Sequence, residues 1–397
     1  MVFHNVALGG RLGDALIAIV LIRKRIERPN VLADSFIRKR QSDYMGDLLS
    51  MCNNYYKSVR QRWIDILRGI GILMVVLGHS GPPFFKIIYG FHIPLFFLIS
   101  GYLLSDKKLK MSFISYMKML MKAYLRPYFL LCGINLIFQS VILYKKREFY
   151  LGIIGKYIIG ILYSRGSSEW LPNCSPLWFM TALFVSLSLY YWINKCGKYT
   201  VLYVLIAGIM SYVLDILNVS KLPWNVDTAM MGIVFIYIGR NLKMINEIKC
   251  ESNLSSWIFI LLLLIVGRQC IIMNPIGAVS FDNNQYGNLI MMIFGALSIC
   301  IALFLFCYTY RNKMKNLLWR FVEYLGRHTI FIMGFDYLSG TLAAIILTRL
   351  NLMHWFLMFI VKIFVLLIGL QGWNLFIDII QSQFGREEGD IRRSRWY

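Results

Sequence analysis

The sequence predicts an all-α membrane protein, a polytopic bundle of about ten transmembrane spans with both termini in the cytoplasm. Three observations support this fold class. Of the 397 residues, 58% are hydrophobic and only 16% are charged, and the mean hydropathy is +0.59. Apolar runs near the length that a bilayer requires recur along the chain. The basic residues lie in short clusters between these runs, which is typical of cytoplasmic loops.

The predicted spans begin after residue 58 and follow one another with short connections. They are 64–80, 86–104, 123–143, 176–193, 200–217, 226–242, 256–273, 288–309, 328–348 and 354–376. The run at 151–162 is short and interrupted by three glycines and Lys156. If it crossed the membrane, every later loop would change sides and the basic clusters would no longer share one face. We therefore expect an external loop at 144–175 that contains a re-entrant or interfacial segment.

The two ends of the chain differ in composition from the spans. The only apolar run in residues 1–58 extends from Ala15 to Ile22, which is too short to cross a membrane, and no convincing signal-peptide cleavage site accompanies it. We expect a cytoplasmic N-terminal arm of amphipathic character at 1–58, a transmembrane domain at 59–378 and a basic cytoplasmic tail at 379–397.

Charge and motifs narrow the function class. The net charge of +22 would suit nucleic acid, but the clustering of the cations between apolar spans indicates membrane topology, so we expect no nucleic-acid partner. The 8 cysteines form no CxxC pair or metal-ligand spacing, and we expect packing roles and no metal. Neither a GxSxG nor a Walker motif occurs, which disfavours triad hydrolases and ATP-driven pumps.

The first span carries two ionisable residues, Arg68 and His79, inside an apolar run. Eleven helical steps amount to about three turns, so both side chains leave the same helix face about 16 Å apart along the axis. Ionisable groups at membrane depth are costly and usually face a protein interior or a watery cavity. This pair therefore predicts a functional site rather than a simple anchor.

Five segments carry a family resemblance in the expected order. They are RWIDILRGIGILMVVLGHS, FHIPLFFLISGYLL, Arg126-Pro127-Tyr128, SPLWFMTALFV and LGRHTIFIMGF, spread over about residues 60–376. They resemble the acyltransferase-3 family of integral-membrane O-acyltransferases, which includes sugar O-acetyltransferases similar to fucose acetylases. The resemblance implies about ten transmembrane helices, an acyl-CoA donor (usually acetyl-CoA), a carbohydrate hydroxyl as acceptor, and the inner membrane of a bacterium.

The family's Arg-x10-His motif falls on Arg68 and His79. An imidazole titrates near neutral pH and suits a general base for a sugar hydroxyl, although a buried His bonded to a carbonyl is the structural alternative. Arg68 suits either a CoA phosphate or the developing oxyanion. The alternatives for Arg68 are a side chain that reaches the cytoplasmic surface, or a pair with Asp65 three residues earlier.

Further site candidates lie on the second and the ninth span. His92 should lie at the depth of His79 on an adjacent antiparallel helix, either in the site or in a packing role. Asp336 is about eight residues into its span, where many family members carry a His. Because a carboxylate near mid-membrane needs a partner, we expect Asp336 within reach of Arg68, His79 or His92. There it would either orient a catalytic His or form a structural ion pair.

The predicted donor contacts cluster at the cytoplasmic ends of the spans. Besides Arg68 they are Arg126, Arg327 and His328, of which Arg327 and His328 could equally form an interfacial pair. We expect an O-acyltransferase that moves an acetyl group from acyl-CoA to a glycan and contacts membrane lipids. The alternative is a transporter or flippase for a lipid-linked sugar or small metabolite, for which two related halves with broken helices would be the supporting feature. We find no such halves in the sequence.

Overall fold

The structure is a computed structural model that describes residues 61–164, 169–170, 173–219, 222–243 and 254–384, with side chains to residue 375. Within these ranges the chain is helical and forms no strand, apart from an isolated bridge between Ser280 and Gln285. The predicted arm at 1–58 lies outside the described residues, as does the predicted tail beyond residue 384. The described helices belong to a single compact unit that begins at Arg62.

The helices follow the apolar runs of the sequence closely. In chain order they are α1 (Arg62–Gly78), α2 (Phe85–Tyr102), α3 (Asp106–Leu109), α4 (Phe113–Leu120), α5 (Arg126–Lys146), α6 (Leu151–Tyr163), α7 (Trp178–Lys195), α8 (Thr200–Ile216), α9 (Val226–Asn241), α10 (Leu254–Met273), α11 (Leu289–Thr309), α12 (Leu317–Arg327), α13 (Thr329–Arg349) and α14 (Trp355–Phe384). A π-helical turn, Met121–Leu125, joins α4 to α5, and a 3₁₀ turn, Ser175–Leu177, precedes α7.

The prediction of a polytopic all-α membrane protein is confirmed. Every predicted span coincides with a helix, and 8 helices of the described chain are long and apolar enough to cross a membrane. The helices α1 and α9, with 17 and 16 residues, are shorter than these. The number of ten crossings and the cytoplasmic position of the termini therefore stay predictions. Helix α14 continues to Phe384, so the predicted tail begins within a helix.

The segment 151–162 forms helix α6, whose 13 residues extend about 20 Å and fall short of a bilayer core. Side chains of the bundle hold its last carbonyls. The hydroxyl of Tyr128 donates to the Ile161 oxygen at 2.7 Å, and the indole of Trp224 donates to the Leu162 oxygen at 2.8 Å. These bonds satisfy backbone acceptors that a helix end leaves unpaired. Its placement as a re-entrant or interfacial segment stays a prediction.

Exposure of apolar side chains separates the interior helices from those that face lipid. In the most apolar stretches of α2 and α7, 67% and 72% of the residues are buried inside the protein. The corresponding share is 17% for both α10 and α14. Large apolar side chains of α10 and α14 point away from the protein at one-turn spacing, among them Ile258, Leu262, Val266, Ile360, Phe364 and Ile368. Such surfaces suit the hydrocarbon of a membrane and are consistent with contact to lipid.

Helices α1 and α12 cross at two glycines, and this crossing fixes the position of Arg68. A Cβ on Gly69 would lie 2.0 Å from the Val322 carbonyl oxygen, and one on Gly326 would lie 1.7 Å from the Asp65 oxygen. No larger residue fits at that approach, because small residues are what lets two backbones meet. The crossing brings the charged residues at the start of α1 against those of α12.

A second glycine crossing joins α2 to α9. A Cβ on Gly101 would lie 2.1 Å from the Ile236 oxygen, and one on Gly239 would lie 2.0 Å from the Leu98 oxygen. The residues near this crossing are almost fully buried. The close contact anchors α2, which carries His92, against the centre of the bundle.

Candidate active site

His79 follows the last residue of α1 and continues its hydrogen-bond pattern, since its backbone N–H donates to the Val75 oxygen at 3.0 Å. Its Nδ1 lies 2.6 Å from Oδ2 of Asp336, the eighth residue of α13, whose side chain is fully buried. A carboxylate only accepts, so Nδ1–H of His79 donates and its Nε2 is left as an acceptor. We predicted that Asp336 lies within reach of Arg68, His79 or His92. This prediction is confirmed, and the partner is His79.

The other oxygen of Asp336 binds a residue that the sequence analysis missed. Nζ of Lys362, on α14, lies 2.8 Å from Oδ1 of Asp336, and the lysine side chain is 2% exposed. A signal for it exists in the sequence, because Lys362 stands alone in the apolar run that begins at Trp355. A cation at membrane depth is costly and marks a candidate site by itself. With neutral His79, the three groups have no net charge.

His92 lies near His79 but makes a different contact. Its Nδ1 donates to the Ile88 oxygen at 2.8 Å, one turn earlier on α2, and the side chain is buried. The ring of Tyr89 lies between the two histidines, with its centroid 6.2 Å from that of His79 and 5.2 Å from that of His92. The structure therefore brings His79, His92 and Asp336 to one place, as predicted, with His79 in the contact to Asp336.

A cavity of about 90 Å³ opens beside the two histidines. Helices α1, α2 and α13, the turn before α7 and the segment around Phe281 form its wall. Its polar and aromatic lining consists of His79, His92, Tyr89, Tyr337, Ser175, Trp178, Asp282, Phe96, Phe179 and Phe281. The ring of Tyr337 also packs against His79, at 5.3 Å between centroids. The cavity thus offers hydrogen-bonding groups and aromatic faces next to the imidazole.

Arg68 lies apart from this cluster, towards the start of α1. It is separated from His79 by about 16 Å along the helix axis. Its guanidinium lies 3.9 Å from Oδ1 of Asp65, and its side chain is 32% exposed. This distance from His79 excludes Arg68 as a direct partner of the imidazole or of Asp336. It leaves the guanidinium accessible at the other end of the same helix.

Arg327, a predicted donor contact, is part of an ion-pair network at the crossing of α1 and α12. Its guanidinium pairs with Glu323 one turn earlier and lies 3.6 Å from Oδ2 of Asp65. Glu323 also pairs with Arg62. The sequence analysis singled out Arg327 but missed Glu323, one of whose partners, Arg62, is 261 positions away in the chain. The network fixes Asp65, which in turn lies beside Arg68.

The remaining predicted donor contacts lie at helix ends. Arg126 is exposed at the start of α5, and His328 donates from Nδ1 to the Tyr324 oxygen at 2.8 Å. The sequence analysis did not single out Lys108, a half-buried cation of α3. Burial, and next the positive charge of Arg68, lower the pKa of Lys108. Two cations therefore lie close together at this end of α1.

The part of the chain that the structure describes contains no group of three or more His, Cys, Asp or Glu residues that could hold a metal ion. The chemistry available in the described site is that of an imidazole, a buried carboxylate and cations. An imidazole with a free Nε2 can accept and return a proton. Separate cations at the other end of α1 can bind an anionic group.

Comparison with known proteins places the chain in a family. The family model described as "Acyltransferase domain" matches residues 61–370, and the chain belongs to that family, which confirms the predicted resemblance. It is thus a multi-pass membrane protein with an acyltransferase domain. Part of the chain is 45% identical over 62 residues to nodulation protein NolL of Sinorhizobium fredii, an alignment that covers 12% of this chain and 17% of that protein. No solved structure matches the chain.

Proposed function

We propose that this protein is an O-acyltransferase that moves an acetyl group from acetyl-CoA to a hydroxyl of a cell-surface glycan or its precursor. The observation that carries the proposal is the contact between His79 and Asp336, 2.6 Å long. It keeps the imidazole proton on Nδ1 and leaves Nε2 as a base on a ring that lines the cavity. Membership of an acyltransferase family favours this chemistry over the transporter or flippase alternative.

In the proposed reaction, Nε2 of His79 removes the proton of the acceptor hydroxyl as its oxygen attacks the thioester carbonyl carbon. The carbonyl π electrons move to oxygen and then return as the carbon–sulfur bond breaks. The departing thiolate takes the proton back from Nε2 of His79, which yields the ester and free coenzyme A. Asp336 stabilises the imidazolium that exists between these two proton transfers.

The donor's phosphates would lie at the other end of α1. Arg68 and Lys108 supply two neighbouring cations there, and a guanidinium binds phosphate through paired N–H groups. The pantetheine arm of coenzyme A is long enough to extend from Arg68 to His79, about 16 Å along α1. We therefore assign Arg68 to the donor's phosphates and not to the oxyanion. Arg126, Arg327 and His328 are further proposed donor contacts.

The acceptor would enter the cavity beside the histidines. Sugar rings bind through stacking on aromatic faces and hydrogen bonds to their hydroxyls. Trp178, Tyr89 and Tyr337 supply aromatic faces in the cavity, and Ser175 and Asp282 supply polar groups. Asp282 lies in a loop that the charge pattern predicts to be outside. The inner membrane of a bacterium, where cytoplasmic acetyl-CoA and an external glycan can both be reached, is the proposed location.

Transfer of radiolabel tests the proposal directly. Purified protein is incubated with labelled acetyl-CoA and a panel of candidate glycans, and the glycan fraction is counted. We expect His79→Ala to reduce transfer by about 10²–10⁴-fold while the protein still accumulates in the membrane. The matched control is His354→Ala, because His354 is an exposed histidine at the start of α14 that does not line the cavity.

Two results would count against the proposal. Undiminished transfer by His79→Ala would remove this residue from the mechanism. Absence of any label transfer by the wild type, together with movement of a lipid-linked sugar across vesicles that contain the protein, would support the transporter or flippase alternative.

A further inference from the structure

The deepest cation of the described chain is Lys362, and it touches the carboxylate that holds His79. Its Nζ lies 2.8 Å from Oδ1 of Asp336, while Oδ2 of the same carboxylate receives Nδ1–H of His79 at 2.6 Å. The side chains of Lys362 and Asp336 are 2% and 0% exposed. Burial of a lysine is costly unless it is paired, so its position indicates a purpose beyond packing.

The stem of Lys362 has a defined path along α13. A Cβ on Gly340, one turn beyond Asp336, would lie 3.6 Å from Cε and 3.8 Å from both Cδ and Nζ of Lys362. These are ordinary van der Waals distances, so the stem packs against α13 at Gly340. The lysine head is therefore directed at Asp336 from α14, and its position is set by the packing of the two helices.

We propose that Lys362 is a positioning residue for acyl transfer, one that holds Asp336 as an anion and thereby keeps His79 neutral and ready to accept a proton at Nε2. This inference rests on the proposed function of His79. Without a neighbouring cation, only a protonated imidazole could balance the negative charge of the buried Asp336 carboxylate. The His79–Asp336 pair would then hold an extra proton tightly, and His79 could not act as a base. The ion pair between Lys362 and Asp336 supplies the offsetting charge, so the imidazole can remain a proton acceptor.

Other titratable groups face the pair and must be accounted for. They are Tyr89 and His92 of α2, Tyr337 of α13, and Asp282 in the loop that precedes α11. All four are unchanged in variants of Lys362. A difference between the pH profiles of such variants therefore reports the charge at position 362 and not these neighbours.

The test is the pH dependence of kcat, measured with saturating donor and acceptor in wild type, Lys362→Met, Lys362→Gln and Lys362→Arg. Removal of the unit charge that pairs with Asp336 should move the acid limb of the profile to higher pH by about one to two units. Lys362→Met should therefore lose about tenfold or more near neutral pH and recover towards wild type in alkaline buffer. Lys362→Arg, which keeps the charge, should keep the acid limb in place.

Lys362→Gln separates charge from hydrogen bonding, because it retains a donor for Asp336 without the charge. It also serves as the neutral variant if Lys362→Met does not accumulate in the membrane. We expect it to shift the acid limb as Lys362→Met does. The control for a purely structural lysine is Lys86→Met, since Lys86 donates to the Ile272 and Asn274 carbonyls and does not contact Asp336. Its acid limb should match wild type.

The outcomes distinguish this inference from the proposed function. If His79→Ala retains full transfer, the proposed function itself fails. If His79→Ala is inactive but both neutral variants of Lys362 keep the wild-type acid limb, or lose the same factor at every pH, then His79 remains the base and Lys362 has only a structural role. A shift in the neutral variants, absent in Lys362→Arg, supports the positioning role.

Discussion

Asp336→Asn is the substitution for which the structure makes the sharpest prediction. The asparagine keeps the size of the side chain but has one acceptor oxygen and one donor NH₂ group in place of two acceptors. Lys362 can only donate, so the amide oxygen will face its ammonium and the NH₂ group will face His79. His79 must then accept at Nδ1, which moves its proton to Nε2. In that tautomer the ring cannot accept a proton from the acceptor hydroxyl.

The magnitude follows from the two contacts that change. The wrong tautomer should lower kcat by about 10²–10⁴-fold, the contribution of a general base. The protein should also lose about 3–5 kcal/mol of stability, because the buried ammonium of Lys362, at 2.8 Å from the former carboxylate, is left without a countercharge. The double variant Asp336→Asn, Lys362→Met removes that uncompensated charge. It also frees the amide to turn its oxygen towards His79.

Two assays separate these effects. Transfer of labelled acetyl groups gives kcat, and thermal unfolding is followed with a thiol-reactive dye. The buried thiols of Cys132, Cys300 and Cys307 are natural reporters for this dye. We expect the double variant to unfold at a higher temperature than Asp336→Asn and to be more active than it. Activity of Asp336→Asn within tenfold of wild type, or a double variant less stable than the single one, would refute the reasoning.

Three further predictions concern topology, the donor site and packing. The topology is tested with single cysteines in a cysteine-free background. Asn283→Cys should react with an impermeant thiol reagent on intact cells, and Lys315→Cys should react only after permeabilisation. Reaction of both on intact cells would contradict the ten-span topology. Burial and the neighbouring guanidinium lower the pKa of Lys108, so it loses its positive charge at a lower pH than an ordinary lysine. KM for the acyl donor should therefore rise in alkaline buffer, and Lys108→Arg should remove that rise. Gly326→Ala places a Cβ 1.7 Å from a backbone oxygen of α1 and should lower stability by about 1–3 kcal/mol in the dye assay. Gly372→Ala, where a Cβ meets nothing within 4 Å, is the matched control and should not be destabilising.

Residues 62–80 illustrate what local sequence can predict. An apolar run of this length forms a helix in a membrane because its backbone groups have no other partners there. Helical periodicity then sets the separation of Arg68 and His79, and the helix that begins at Arg62 has the predicted register. A carboxylate near mid-membrane needs a partner, and this rule limited the expected partners of Asp336 to three residues, of which His79 is one. The same rule, applied to Lys362, would have marked it as a candidate site residue.

The sequence by itself determined the helical membrane fold, the family, and the residue types proposed to carry the chemistry, because these depend on hydrophobic runs and on short motifs within single helices. Only the tertiary structure decided which of them meet. His79, Asp336 and Lys362 come from three helices, and no periodicity relates residue 79 to residue 336. Their contacts depend on how α1, α13 and α14 pack, and the cost of an unpaired buried charge favours the packing in which the three groups meet.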